Sequence, residues 1–349
     1  MNLVSDTQIN RIIDAGYLPH ALIRYGIRAQ LADRLRNIAS TDLDSAYSTK
    51  MAYVSALRQR PIAIETAKAN EQHYEVGTGV LQACLGPRMK YSSCLYPTGN
   101  ESLAQAEEAM LSLYLERAEL KDGMRILDLG CGWGSASLWM AEKLPNAKVT
   151  AFSNSRSQRA YIEGVAKEKG LENLEVVTGD VVTHEFEPEV YDRVVSIELF
   201  EHMKNYELLM SKVARALKPG GKLFLHIFSH RDTPYDFETG WMTEHFFTGG
   251  TMPSADLLHY FQKDLTLQSQ WWVNGKHYAK TCEDWLTKMN GSKKTIWPHL
   301  EETYGTEGTA KWFYRWQVFY MACAELFAYD GGDTWGVSHY LFEKIDKSK

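Results

Sequence analysis

Apolar residues recur in two rhythms along the 349-residue chain, and the change between them marks its organisation. Over 19–38, PHALIRYGIRAQLADRLRNI, the residues Ile23, Ile27, Leu31 and Leu35 return every four positions, with Arg24, Arg28 and Arg34 off that stripe. Such a recurrence puts side chains on one helix face, and Pro19 suits a helix start. The stripe predicts an amphipathic helix docked on the protein's own body; contact with a membrane surface through the arginines is the alternative. LAQAEEAMLSLYLERAEL, 103–120, is also helical by spacing, and KDG at 121–123 stops it. From there short apolar runs, MRILDLG, KVTAFS, LEVVTGD, DRVVSIEL and GKLFLHIF, alternate with the helical stretches SASLWMAEKL, SQRAYIEGVAKEKG and YELLMSKVARAL. Buried strands separated by helices predict an α/β fold, a mainly parallel sheet with helices on both faces. LTLQSQWW and VSHYLF are expected to add strands at one edge. Residues 1–100 read as a helical N-terminal cap contributing to the site, and 101–349 as the core with a substrate-side insertion at about 230–330.

Composition narrows the partners. A formal net charge of −6 gives no reason to expect nucleic acid. Cys84, Cys94, Cys131, Cys282 and Cys323 form no CxxC pair and no regular spacing, which argues against a disulfide framework or a zinc site and for a reducing compartment. The first residues, MNLVSDTQIN, lack the basic-then-apolar pattern of a signal peptide. No apolar run approaches the roughly 18 residues of a membrane span. The expectation is a cytoplasmic protein with a small-molecule partner, no stable membrane insertion, and a homodimer left open.

The most informative chemistry lies in ILDLGCGWGS, 126–135: a strand runs into Asp128, and Gly130, Gly132 and Gly134 follow before a helix starts. Glycines let the backbone turn tightly and approach a ligand where a side chain would collide. Such a turn after a first strand suits a dinucleotide or S-adenosylmethionine. Two features disfavour the dinucleotide. The spacing is G-C-G-W-G rather than G-x-G-x-x-G, and Asp128 suits a cationic ligand, such as a sulfonium and an α-ammonium, better than a pyrophosphate.

DLGCGWG, TAFSNSRSQ, VVTGDV and SIELFEHMKNYE, in this order, resemble one branch of the class I methyltransferases. That branch contains the cyclopropane-fatty-acyl-phospholipid synthases and the plant coclaurine-type N-methyltransferases. The resemblance to the latter runs from about residue 88 to the end. It implies a Rossmann-like sheet, S-adenosylmethionine as cofactor, S-adenosylhomocysteine as product, and no metal. It implies that Gly130 lines the methionine part of the cofactor with Asp128 close by, and that Asn154 and Gln158 take the ribose hydroxyls. Asp180 would accept from the adenine amino group with Val181 beside the ring, Ile197 would border the cofactor, and Ser92 in KYSSCLY would close over it. Many methyltransferases carry an acidic residue after the second strand; Ser153 and Asn154 stand here instead, as in this branch.

Ligands of open α/β sheets bind beyond the carboxyl ends of the strands, where DRVVSIEL delivers Glu198, Glu201 and His202 within five positions. An alkylamine has a pKa around 10, so its proton must leave before its nitrogen can attack; a carboxylate or imidazole can take it. The resemblance implies Glu201 and His202 as the acid–base pair, with Glu198 nearby. It also matches Tyr74, Trp316 and Phe319 to substrate-side positions, where rings attract an organic cation; core packing is the alternative for Trp316 and Phe319. Trp241, Phe246 and Phe247 are candidates for a lid. His226 and His230 have a metal-like spacing but no further ligands in place, and read as sheet and loop residues. The expected function is N-methylation of a small aromatic or alkaloid-like amine. The alternative is cyclopropane-synthase-like methylene or methyl transfer to an unsaturated lipid.

Overall fold

The computed structural model describes residues 6–64 and 77–345. Tyr74 lies outside the described residues. Among the described residues the helices α1 (Asp6–Asp14), α2 (His20–Ile38), α3 (Leu43–Gln59) and α4 (Thr78–Cys84) precede α5 (Leu103–Arg117). Then β1 (Arg125–Leu129), α6 (Ser135–Lys143), β2 (Lys148–Ser153), α7 (Arg156–Lys169), β3 (Leu174–Thr178), β4 (Tyr191–Ile197), α8 (Tyr206–Ala216) and β5 (Leu217–His230) alternate as the apolar runs predict. The remainder comprises β6 (Tyr235–Asp236), α9 (Trp241–His245), β7 (Thr251–Met252), β8 (Leu265–Val273), α10 (Lys276–Gly291), α11 (Lys293–Ala328) and β9 (Trp335–Lys344).

The main sheet has the order β3-β2-β1-β4-β5-β9-β8. β3 to β5 are parallel, and β9 runs antiparallel between β5 and β8. The inner strands β2, β1, β4, β5 and β9 are largely buried, as a sheet covered on both faces requires, while the edge strands β3 and β8 are only partly so. LTLQSQWW therefore belongs to the sheet itself, although it falls inside the 230–330 insertion; the rest of that segment, β6 to β7 and α10 to α11, lies around the strand ends. α5 ends at Arg117, ahead of the KDG expected to stop it. Glu119, with φ of 52°, turns the chain left-handed there and lets Leu120 N–H reach the carbonyl of Leu115.

α2 contains no fully buried residue, yet Ile23, Ile27, Leu31 and Leu35 pack on the core through its apolar stripe. Its arginines turn to the protein's own carboxylates. Arg24 pairs with Glu283 at 2.6 Å and Glu325 at 3.0 Å, Arg28 with Glu325 at 2.9 Å, and Arg34 with Glu238 at 2.6 Å. The helix is a roof, and its charges are spent on the walls.

The turn from β1 into α6 is held by close packing. Gly134 caps α6 with φ of 77°, and a Cβ there would lie 2.6 Å from Cγ1 of Ile162 on α7. Gly132 has φ of 52° with nothing within 4 Å of its would-be Cβ. Gly134→Ala is therefore expected to cost more than Gly132→Ala: about 2–3 kcal/mol against about 1 kcal/mol by urea denaturation. Equal costs would contradict the packing of this turn against α7.

Candidate active site

A cavity of about 910 Å³ runs from the β1–α6 turn to the underside of α2. At its inner end Asp128 is wholly buried at the carboxyl end of β1; Oδ2 accepts from Ser137 Oγ at 2.5 Å, and Oδ1 has no partner among the described residues. Burial pushes its carboxyl up to about 6. Nε2 of Gln158, Oγ of Ser135 and Nε1 of Trp133 are likewise buried without partners in the described residues, and all three side chains line the same end. Buried polar atoms are ordinarily bonded. Four such atoms around one glycine turn form a cradle for a polar ligand, and an acid that lacks a cation fits an ammonium-bearing one.

Gly130 and Gly132 line this end with Ser92 and Ile197. Ser92 is not free to swing: Nζ of the fully buried Lys90 donates to its hydroxyl at 2.5 Å and to the carbonyl of Ser93 at 2.7 Å. Gln158 accepts from Ser153 Oγ at 2.5 Å, which fixes its amide nitrogen toward the cavity. Four expected cofactor contacts do not reach the cavity wall. Gly134 shapes the turn from behind. Asn154 is exposed after β2. Asp180 folds its carboxylate onto the N–H of Val182 at 2.8 Å, and Val181 is buried in the separate cluster of Leu129 and Phe186.

The acidic trio is divided by backbone geometry. Glu198 follows β4 with φ of 51°, a left-handed conformation that costs a non-glycine residue roughly 1–3 kcal/mol. That turn swings its side chain onto the cavity wall. Oε1 accepts from Ser93 N–H at 3.1 Å and from His226 Nε2 at 3.1 Å; Oε2 accepts from the Tyr278 hydroxyl at 2.7 Å. Burial raises its pKa, opposed by the Lys90 charge and by the bonds from Tyr278 and Ser93. His202 also lines the cavity, stacked on Phe247 with centroids 4.5 Å apart, and burial lowers it to about 4. It is a neutral imidazole at physiological pH.

Glu201 departs from expectation. It is wholly buried, does not line the cavity, and accepts the N–H of Phe228 at 2.8 Å. Burial and the neighbouring Glu198 charge push its carboxyl well above the usual range. The reason is the single 3-10 turn over Phe200–His202, which points adjacent residues in different directions.

The outer cavity is aromatic: Tyr235, Phe237, Trp241, Phe247, Phe319 and Phe327 are on its wall. Trp316 is instead a core residue, packed at 5.0 Å against Phe246, which is itself buried behind the wall. Phe319, one turn further along α11, is the one that faces in. Of the candidate lid, Trp241 and Phe247 line the cavity and Phe246 does not.

The sequence reading missed Lys90, Tyr278 and the role of His226. GKHYAKTCEDW carries Tyr278 as one ring among many, and a histidine inside a strand gives no sign of which carboxylate its ring meets. His230, expected in a loop, is instead the last residue of β5, paired with Trp335 of β9, and its ring accepts the backbone N–H groups of Asp232 and Thr233 that follow.

The family model for mycolic acid cyclopropane synthetase matches residues 63–335, and the chain belongs to that family. It is 37% identical to the (S)-coclaurine N-methyltransferase of Thalictrum flavum subsp. glaucum over 95% of this chain and 94% of that one. It is 27% identical to the cyclopropane-fatty-acyl-phospholipid synthase of Escherichia coli K12 over 90% of this chain and 76% of that one. A crystal structure of coclaurine N-methyltransferase bound to N-methylheliamine and SAH superposes with a TM-score of 0.94 at 37% identity, covering 97% of this chain and 99% of that one.

Asp128 supplies a test of the cradle. A carboxyl raised from 3.8 to about 6 on folding holds its proton longer when folded, so its stability contribution is present below about pH 4 and lost as pH rises through 6. The shift corresponds to about 3 kcal/mol. Without ligand, Asp128→Asn is expected to match the wild type in melting temperature at pH 4 and exceed it at pH 7.5. A difference that does not change with pH would contradict the buried, cation-lacking acid.

Proposed function

We propose that the protein is an S-adenosylmethionine-dependent N-methyltransferase acting on a small aromatic, alkaloid-type amine, with Glu198 taking the amine's proton. The observation that carries this reading is one cavity with a cradle for an ammonium-bearing cofactor at one end. A buried, three-fold hydrogen-bonded carboxylate beside a neutral imidazole lies at its middle, and aromatic rings at the other. When bound, S-adenosylmethionine supplies an electrophilic methyl group: the amine lone pair forms the N–C bond as the S–C bond breaks.

Each residue then has a physical task. Asp128 pairs with the cofactor's α-ammonium, which returns its carboxyl to the ionised form. Gly130 and Gly132 let the backbone come close, Gln158 and Ser92 offer polar contacts, and Ile197 covers an apolar flank. Asn154 and Asp180, after β2 and β3 but off the cavity wall, are the candidates for the nucleoside's hydroxyl and amino groups. At the acceptor end, Glu198 attracts the protonated amine out of water. Its raised pKa brings it closer to that of the amine, which favours proton transfer. His202 stands beside it as an uncharged acceptor. Glu201 is a support for the Phe228 backbone rather than the proton acceptor. Phe247, Trp241 and Phe319 hold the organic cation by their faces, and α2 with its ion pairs closes the chamber against water.

The higher identity to coclaurine N-methyltransferase, 37% against 27% for the cyclopropane-fatty-acyl-phospholipid synthase, supports the amine over an unsaturated lipid. So does α2: its arginines pair with Glu283, Glu325 and Glu238, which leaves them turned to the protein rather than to a lipid surface.

Kinetics on a secondary aromatic amine test the assignment. Glu198→Gln is expected to lower kcat by about 100-fold or more, within the usual range for a lost general base. Glu201→Gln, which keeps the acceptor for Phe228 N–H, is expected to cost less than about tenfold. The reverse order would move the proton acceptor to Glu201. The wild-type rate is expected to rise with pH along an acidic limb above the ordinary carboxylate range, since Glu198 acts ionised and burial raises its pKa.

A further inference from the structure

The hydrogen bond that His226 gives Glu198 does not end at His226. His226 on β5 and His339 on β9 face each other across the strand pairing, and both are wholly buried. Nδ1 of His226 lies 2.9 Å from Nε2 of His339, and Nδ1 of His339 lies 2.8 Å from a guanidinium nitrogen of Arg117, the last residue of α5. Arg117 is half-buried, with its guanidinium 5.0 Å above the Trp271 ring. An unbroken line of hydrogen bonds thus leads from the rim of the sheet to the carboxylate in the cavity.

The line has only one consistent polarity. A guanidinium has donors and no acceptor, so Nδ1 of His339 must accept. A neutral imidazole carries one ring proton, which leaves that of His339 on Nε2, donated to Nδ1 of His226. The proton of His226 is then on Nε2, aimed at Oε1 of Glu198 at 3.1 Å. The Tyr114 hydroxyl, 2.9 Å from Nδ1 of His226, can donate or accept and so fits this tautomer without selecting it. Both rings are neutral, because burial together with the nearby charges of Lys90 and Arg117 pushes them well below the usual range.

We propose that Arg117 is a positioning residue: through His339 and His226 it locks His226 as the Nε2–H tautomer and so keeps Glu198 an ionised acceptor facing the cavity. Without it, His339 is free to carry its proton on Nδ1 and His226 to do the same. A bare Nε2 then faces Glu198, and the carboxyl there is stabilised in its protonated form, unable to take a proton from an amine. The line orients rather than exports, since a proton leaving along it would have to pass to a guanidinium that is already fully protonated. The use of Glu198 in amine methylation rests on the function proposed above; the tautomer lock does not.

Several groups share this environment. Tyr114 and Arg117 of α5 and Lys90 face the two histidines. Lys90, Tyr278 of α10, His202 and Glu201 surround Glu198. Arg117 neither lines the cavity nor bonds to Glu198, and it meets the line of hydrogen bonds only at His339, so its replacement isolates the relay.

Full-length protein with 15N-labelled histidine, as wild type, Arg117→Lys and Arg117→Met, gives two independent readouts. Long-range 1H–15N spectra, assigned with single His→Asn variants, are expected to show Nε2–H tautomers at His226 and His339 in the wild type and Arg117→Lys. Nδ1–H character is expected in Arg117→Met. In amine turnover, Arg117→Met is expected to move the acidic limb of kcat upward by about one pH unit and lower kcat on that limb about tenfold. The KM for the amine should stay unchanged, and Arg117→Lys should restore the limb. An Nδ1–H tautomer at His226 in the wild type overturns the lock, and this test stands even if Arg117→Met does not fold. A folded Arg117→Met with unmoved tautomers and an unmoved limb overturns it too, as does an equal loss at every pH in both variants. A wild type with the expected tautomers that methylates no amine supports the lock and contradicts the functional reading instead.

Discussion

An ionised carboxylate survives in an apolar cavity only where donors have been brought to it, because burial alone drives it toward the protonated form. Glu198 is the place where the fold meets that demand. Ser93 from the segment before α5, His226 from β5 and Tyr278 from α10 each give it one hydrogen bond. Ser196, two residues earlier, ties the end of β4 to the carbonyl of Leu129 at 2.8 Å, so the carboxylate and the glycine turn are registered to each other through the sheet. The left-handed backbone at Glu198 is tolerated because so many elements converge on its side chain. Glu201, three residues on, receives one backbone donor and lies against a like charge. The same residue type, equally buried, is thereby divided into a carboxylate facing the cavity and one behind it that holds the Phe228 backbone.

Much of the architecture was legible from periodicity. Each apolar run from MRILDLG to GKLFLHIF became a strand, because a strand buried on both faces must be apolar throughout and the intervening amphipathic stretches must cover it. The glycine turn was legible for a similar reason: three glycines at that spacing have no use in a helix or strand interior. The division of IELFEH was not legible. Glu198, Glu201 and His202 lie within five positions, and one positive φ followed by one 3-10 turn decides which of them reach the cavity. Trp316 and Phe319 posed the same difficulty on a helix. They are three positions apart on α11 and Phe246 packs against both, at 5.0 Å and 4.6 Å, yet only Phe319 lines the cavity. His226 was read correctly as a sheet residue, yet its partner in β9 lies 113 positions away along the chain, beyond the reach of any local pattern.

The family spans two chemistries, transfer of a methyl group to an amine and delivery of one carbon to an unsaturated chain. This chain is similar in sequence to members of both. Its outer cavity is what separates the readings. Rings from β6, α9 and α11 surround the space in front of Glu198, and α2 closes it with an apolar stripe held down by ion pairs. A cavity roofed by α2 with a carboxylate on its wall suits a compact organic cation, for which rings and charge act together. An extended acyl chain has no use for that carboxylate in attracting it from water, although it too would need a base.

Mass spectrometry with methyl-deuterated S-adenosylmethionine, given an aromatic secondary amine and an unsaturated phospholipid together, tests the central claim most directly. The account requires an N-methylated amine that retains all three deuterium atoms, with the lipid unchanged. A lipid product that retains two, with the amine untouched, would contradict it and assign the cavity to methylene transfer.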